Sequence, residues 1–115
     1  MFLKQLNLIN FRNYSALNLQ FDSRPTIFVG NNAVGKSNLL EAIYFLSTTK
    51  SGRVNEEMEL IKQGENVSRI EGEIEETKLQ ITMEDRDNFS KKVKVNGVPK
   101  RVVDYIGNMP VVLFS

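Results

Sequence analysis

Eight consecutive residues, Gly30-Asn31-Asn32-Ala33-Val34-Gly35-Lys36-Ser37, restrict what this chain can fold into more than any other segment. They fit the spacing G-x-x-x-x-G-K-[ST], in which a glycine-bearing loop joins a strand to a helix. The flanks agree: the β-prone run Thr26-Ile27-Phe28-Val29 leads in, and the helix-prone run Asn38-Leu39-Leu40-Glu41-Ala42-Ile43 leads out. In such a loop the glycines let backbone N–H groups curl around a β-phosphate, and the helix N-terminus adds its partial positive charge. Lys36 is suited to the β- and γ-phosphate oxygens, and the Ser37 hydroxyl to the Mg²⁺ shell. A glycine turn with a surface lysine is the plain alternative. Given this chain's own composition, however, the pattern arises by chance with a probability of roughly 0.4%. The sequence therefore predicts a nucleoside triphosphate site at residues 30–37, with Mg²⁺ held through Ser37.

Composition narrows the chemistry around that site. The chain has 115 residues, enough for one domain or part of one with a real core. Fifteen basic and fourteen acidic residues leave a net charge of +1, so no global field draws the protein to nucleic acid, and any such contact must be local. Without cysteine or histidine there is no disulfide, thiol nucleophile, imidazole base or usual zinc site. The N-terminus lacks the continuous apolar core of a signal peptide. The longest apolar run, residues 42–46, falls far short of the ~20 residues that span a bilayer. The expectation is a soluble, cytoplasmic protein with no membrane partner.

Periodicity organises the rest. Residues 3–11 alternate imperfectly, with Leu6, Leu8 and then Phe11 on the apolar side, and predict a strand; Leu17, Leu19 and Phe21 predict a second. The cluster Asp22-Ser23-Arg24-Pro25 turns the chain into the strand that precedes the phosphate loop. The helix after Lys36 has Leu39, Ala42, Ile43 and Leu46 on one face, widened by Leu40 and Tyr44. Asn38, Glu41 and Thr48 form its polar stripe. Residues 56–62 suggest a short helix closed near Gly64. From Ser68 to Val98 the period is two: Ile70 and Ile74, then Leu79, Ile81 and Met83, then Val93 and Val95 alternate with charged or polar residues, as in an antiparallel sheet with one wet face. Asn96-Gly97 predicts a two-residue hairpin turn. Residues 100–106 predict a short helix, and Val111-Val112-Leu113-Phe114-Ser115 a buried strand in which the chain stops.

Three segments in order carry a resemblance: Leu8-Ile9-Asn10-Phe11-Arg12-Asn13-Tyr14, the loop with its following helix, and Val111-Val112-Leu113-Phe114-Ser115. Together they are similar to the N-terminal part of the RecF family, bacterial recombination mediators with an SMC-like ABC ATPase head. The resemblance implies an α/β fold: the first lobe of a P-loop NTPase head, with a mixed sheet around the P-loop helix and an antiparallel β subdomain. It assigns residues 1–115 to one N-terminal lobe that stops before the signature motif and Walker B. It also implies ATP and Mg²⁺ as ligands, ATP-dependent homodimerisation, and binding to single-stranded or gapped DNA beside RecO and RecR. Roles in recombination, replication, DNA repair and the SOS response follow. Gly30, Asn31, Asn32, Ala33, Val34, Gly35, Lys36 and Ser37 then carry ATP binding, and Arg12 matches an arginine near the nucleotide or DNA. Ala33 departs from the family's glycine, which costs about 1 kcal/mol if the loop needs a left-handed backbone there.

Hydrolysis needs a carboxylate at the end of a buried strand. Asp104 follows only two valines, and Glu84-Asp85 follow an alternating strand, so both read as surface acids. The expectation is a nucleotide-binding lobe with negligible turnover by itself, belonging to an ATP-dependent DNA-binding mediator. The ATPase half of an OLD-type nuclease is the alternative. Lys91, Lys92, Lys94, Lys100 and Arg101 form the one local basic cluster, a solvated hairpin face or else a phosphate-backbone contact.

Overall fold

Period-two alternation becomes one continuous sheet in the computed structural model, which describes residues 3–20, 33–50, 56–74 and 76–105. The strands are β1 (Leu3–Phe11), β2 (Tyr14–Gln20), β3 (Val67–Ile74), β4 (Thr77–Asp85), β5 (Phe89–Val95) and β6 (Val98–Lys100). Their spatial order is β2-β1-β3-β4-β5-β6, and each of these pairings is antiparallel. The two N-terminal strands and the later hairpins thus share one hydrogen-bonded layer, with β1 bridging them. Helix α1 (Ala33–Thr48) and the one-turn helix α2 (Val102–Tyr105) pack on it, and a 3-10 turn covers Glu57–Leu60.

Register aligns the apolar residues of successive strands on one face. Leu8 lies opposite Ile70, Ile70 opposite Ile81, and Ile81 opposite Val93. These residues meet Ala42, Ile43, Phe45 and Leu46 of α1 in a single buried core. Residues between them, such as Glu71, Gln80 and Lys94, point to the opposite, wet face. Gly72 occupies a core-facing position where α1 comes closest, and a Cβ there would collide with Leu46 Cδ2.

The imperfect alternation of β1 has a backbone cause. Asn10 takes a left-handed φ of 50°, a conformation asparagine tolerates better than most residues. The switch leaves Ile9 outside and turns Phe11 fully into the core. The hairpin signal at Asn96-Gly97 is borne out: both residues have positive φ, 51° and 80°, as a type I′ turn requires. That turn commits Val98–Lys100 to pairing with β5. Lys100 is therefore strand, and the helix expected from it begins only at Val102. The short helix expected at residues 56–62 is the 3-10 turn, followed by Gly64 at φ 90°. The strands expected at residues 26–29 and 111–115 lie outside the described residues, as do Phe21 and the turn after it.

Candidate nucleotide site at the head of helix α1

Helix α1 begins inside the glycine-lysine motif. Ala33 is its first residue, so Val34, Gly35, Lys36 and Ser37 all belong to its opening turns. The helical backbone at Ala33 is right-handed, and alanine suits it better than glycine would. The left-handed strain considered from the sequence is therefore not what this position carries. Gly30, Asn31 and Asn32 lie outside the described residues, and so do the side chains of residues 33–37.

The second and third turns of the helix are clasped by the β1–β2 hairpin. Phe11 pairs with Tyr14 across a two-residue turn made of Arg12 and Asn13. Arg12 has a φ of 54°, unusual for a residue with a long side chain, and such strain persists only where the surroundings fix it. Its backbone N–H donates to the Leu60 carbonyl at 2.8 Å. Its side chain donates from Nε to Glu41 Oε1 at 2.7 Å and from Nη2 to Glu41 Oε2 at 2.9 Å, a bidentate pair. Next to it, Asn38 Nδ2 donates to Asn13 Oδ1 at 3.0 Å. Asn38 and Glu41, three residues apart, present one face of α1 to two successive turn residues.

Burial sharpens this contact. The Glu41 side chain is 2% exposed and that of Arg12 24%. The hydrogen bond to Glu41 raises the Arg12 pKa above its ordinary value, opposed by desolvation and helped by the charges of Glu41 and Glu59. The helix stripe of Asn38 and Glu41, read from the sequence as polar, is covered by the hairpin; Tyr44, expected to widen the apolar face, is 44% exposed instead. Beside the clasp lies an open cavity of about 710 Å³, lined in part by Arg12, Asn13, Asn38, Glu59, Lys62 and Gln63. Its size is within the range of small-molecule sites.

Arg12 is thus the predicted residue that the described structure puts at this cavity. Asn13, Asn38, Glu41 and Lys62 are additions. Asn13 directly follows Arg12 in the quoted segment, and Asn38 and Glu41 have helical spacing after Ser37, a signal that could have pointed to them.

The basic cluster does not form one surface. Lys91 turns to the helix side, where its Nζ donates to Glu57 Oε1, to Glu57 Oε2 at 2.7 Å and to the Thr49 carbonyl at 2.7 Å. It also sits 5.5 Å from the Phe45 ring centroid. Lys92 and Lys94 pair with Thr82 and Gln80 on the opposite face. Arg101 is bound to Asp104 at 2.9 Å. Asp104 and Glu84, the latter 3.3 Å from Arg86, are partly exposed ion-pair members and not buried metal ligands. Among the described residues no group of three acidic side chains could hold a metal ion, and no helix is long and apolar enough to cross a membrane.

Comparison with known proteins extends the picture beyond this geometry. The family described as AAA ATPase domain matches residues 1–101. The DNA replication and repair protein RecF of Acaryochloris marina is 43% identical over 118 aligned positions, covering all of this chain and 32% of that protein. RecF of Bacillus cytotoxicus is 38% identical over 117, again covering the whole chain and 31% of the relative. The chain therefore spans about a third of the length of these relatives. A solved structure described as the recombination mediator protein RecF-ATP in the RecFOR pathway superposes with a TM-score of 0.81 at 35% identity, covering 99% of this chain and 32% of that one. The SMC head domain of Thermotoga maritima gives 0.65 at 25% identity, covering 90% and 40%. The resemblance drawn from the three sequence segments holds over the whole chain, and the ATPase-head fold with it.

Proposed function

This chain belongs to the AAA ATPase domain family, and on that premise we propose that it is the nucleotide-binding first lobe of a RecF-type DNA replication and repair protein. In this reading Gly30, Asn31, Asn32, Ala33, Val34, Gly35, Lys36 and Ser37 hold the triphosphate of ATP. The backbone N–H groups at the start of α1 face the phosphates, because the first four of a helix have no partner within it. Lys36 neutralises the β- and γ-phosphate oxygens. The Ser37 hydroxyl, a hard oxygen donor, suits Mg²⁺, which in such sites takes most of its remaining ligands from phosphate and water. Arg12 and Asn13 border the remainder of the nucleotide in the neighbouring cavity.

The observation that carries the reading is the clasp of the Arg12-Asn13 turn onto the helix that opens inside the motif, with a ligand-sized cavity beside it. The likeness to a RecF described with ATP supports the choice of nucleotide. The RecF relatives support a role in DNA replication and repair. Binding to single-stranded or gapped DNA, cooperation with RecO and RecR, ATP-dependent homodimerisation and a part in SOS induction are proposed on the same footing.

Titration of the protein with Mg-ATP, with and without gapped DNA, tests this. Wild type binds nucleotide, Lys36→Ala loses it, and the DNA complexes of wild type respond to ATP. A Lys36→Ala variant that keeps nucleotide, with DNA complexes indifferent to ATP, would remove the basis for the proposal.

A further inference from the structure

We propose that Glu41 is a positioning residue of the nucleotide site, acting through Arg12 to fix the β1–β2 turn and one guanidinium edge at the cavity. The inference rests on the nucleotide-binding reading above and adds to it a residue that neither the motif nor the basic-residue pattern contains.

An acid two turns into a helix ordinarily faces water. Glu41 does not: its side chain is 2% exposed, and both of its oxygens accept from Arg12. Planar, two-point pairing fixes the guanidinium in rotation as well as in position, which a single ion pair with lysine would not do. Glu41 takes the Nε–H and one of the two Nη2–H donors, and among the described residues no hydrogen bond engages Nη1. The Arg12 side chain lines the cavity, so the edge that remains is a donor for an anionic or carbonyl group of a bound nucleotide.

Three constraints converge on Arg12. Its backbone is left-handed, its amide is held by the Leu60 carbonyl, and its side chain is gripped by Glu41. Leu60 ends the 3-10 turn that carries Glu59, and it precedes Ile61 and Lys62, further residues of the cavity wall. Lys62 in turn donates its N–H to the Asn10 carbonyl at 2.7 Å. Helix α1, the hairpin turn and the segment at residues 60–62 are thereby tied at one point. Removing the Glu41 charge releases the guanidinium while leaving the turn covalently intact, so its consequence is loss of placement.

A double-mutant cycle on Mg-ATP affinity, measured on the protein alongside its folding transition, tests this. Glu41→Gln preserves volume and one acceptor oxygen, and is expected to weaken Mg-ATP binding about fivefold or more. Arg12→Ala is expected to weaken it at least as much. The double variant is expected to bind no worse than Arg12→Ala alone, because the guanidinium that Glu41 positions is gone. Arg12→Lys, which keeps the charge but cannot pair in two places, reproduces the loss and serves if Glu41→Gln folds poorly. Unchanged affinity in Glu41→Gln or in Arg12→Lys overturns the inference, as do losses that multiply in the double variant. A wild type that retains Mg-ATP binding abolished by Lys36→Ala under those outcomes leaves the nucleotide reading intact. A wild type that binds no Mg-ATP overturns both.

Discussion

The Tyr105 hydroxyl donates a 2.6 Å hydrogen bond to the carbonyl oxygen of Leu46, tying α2 to the last turn of α1 across 59 residues of sequence. The last four carbonyls of a helix lack partners within it, and Leu46 contributes one of them. Tyr105 is 1% exposed, so the bond forms where water does not compete. Tyr105→Phe is expected to cost about 1–2 kcal/mol, read as a lower urea midpoint with an unchanged slope.

The same tyrosine has a pH consequence. Burial raises its pKa well above the ordinary value of 10.0. The neutral phenol is therefore the folded form, while the unfolded chain begins to lose this proton near the ordinary value. The stabilisation is complete below that point and is lost as pH rises through the folded pKa, since there the unfolded state binds fewer protons. Urea midpoints measured upward from pH 9 should fall in wild type, and fall less steeply in Tyr105→Phe. Identical slopes in the two proteins would show that the phenol is not responsible.

Lys91 makes a contrasting case, because a residue read as a candidate DNA contact is tied down, partly buried, on the helix side of the sheet. Its ammonium joins Glu57 to the Thr49 carbonyl at the C-terminal end of α1, where positive charge is favourable. Lys91→Met keeps the apolar stem but leaves the Glu57 carboxylate and that carbonyl without their donor. A loss of about 2 kcal/mol is expected, since both groups are only partly solvated. The salt dependence of DNA affinity should be unchanged, because a neutralised phosphate contact would lower that slope by about one ion. A flattened slope would return Lys91 to the DNA-facing surface.

Where residues act through neighbours in sequence, the chain announced them. Leu79, Ile81 and Met83 face the core as their alternation requires, and Asn96-Gly97 turns as its backbone freedom requires. Pairings distant in sequence were harder to see. Arg12 and Glu41 are 29 residues apart, and a polar stripe on a helix is read as solvent-facing unless something is known to cover it. Likewise Lys91 and Lys92 look alike in sequence, yet the pleat sends one toward Phe45 and the other toward the wet face. At Asn10, one left-handed residue shifts Phe11 inward, which period-two counting registers only as an irregularity.

Thr49 carries strain that a substitution can release. It follows α1 with a φ of 62°, its N–H donating to the Phe45 carbonyl at 2.7 Å, a helix ending that normally uses glycine. A β-branched side chain is poorly suited to that backbone, and among the described residues the buried Thr49 Oγ1 has no hydrogen-bond partner. Thr49→Gly relieves both costs while giving up one buried methyl and some unfolded-state entropy. The balance favours stabilisation of about 1 kcal/mol, measured as a higher urea midpoint. A lower midpoint would mean that the threonine methyl contributes more packing than its backbone strain costs.

Gly72 tests how tightly α1 is seated on the sheet. It lies opposite Leu6 and Leu79 on neighbouring strands, leaving a notch in a row otherwise filled by side chains. Leu46 from α1 fills that notch, with Leu3 Cδ1 3.0 Å from where a Cβ would stand. Gly72→Val therefore displaces a fully buried leucine, and overpacking of this kind costs about 1–3 kcal/mol despite the better strand propensity of valine. Leu46→Ala by itself leaves a cavity and costs about 2–5 kcal/mol. Combined, the valine occupies space the leucine has vacated, so the double variant should be more stable than the sum of the two losses predicts. Strictly additive losses would show that the valine and Leu46 do not compete for one space. If Gly72→Val instead displaces α1, the effect should reappear as weakened Mg-ATP binding that Leu46→Ala restores, because the same helix carries Asn38 and Glu41 to the Arg12-Asn13 turn.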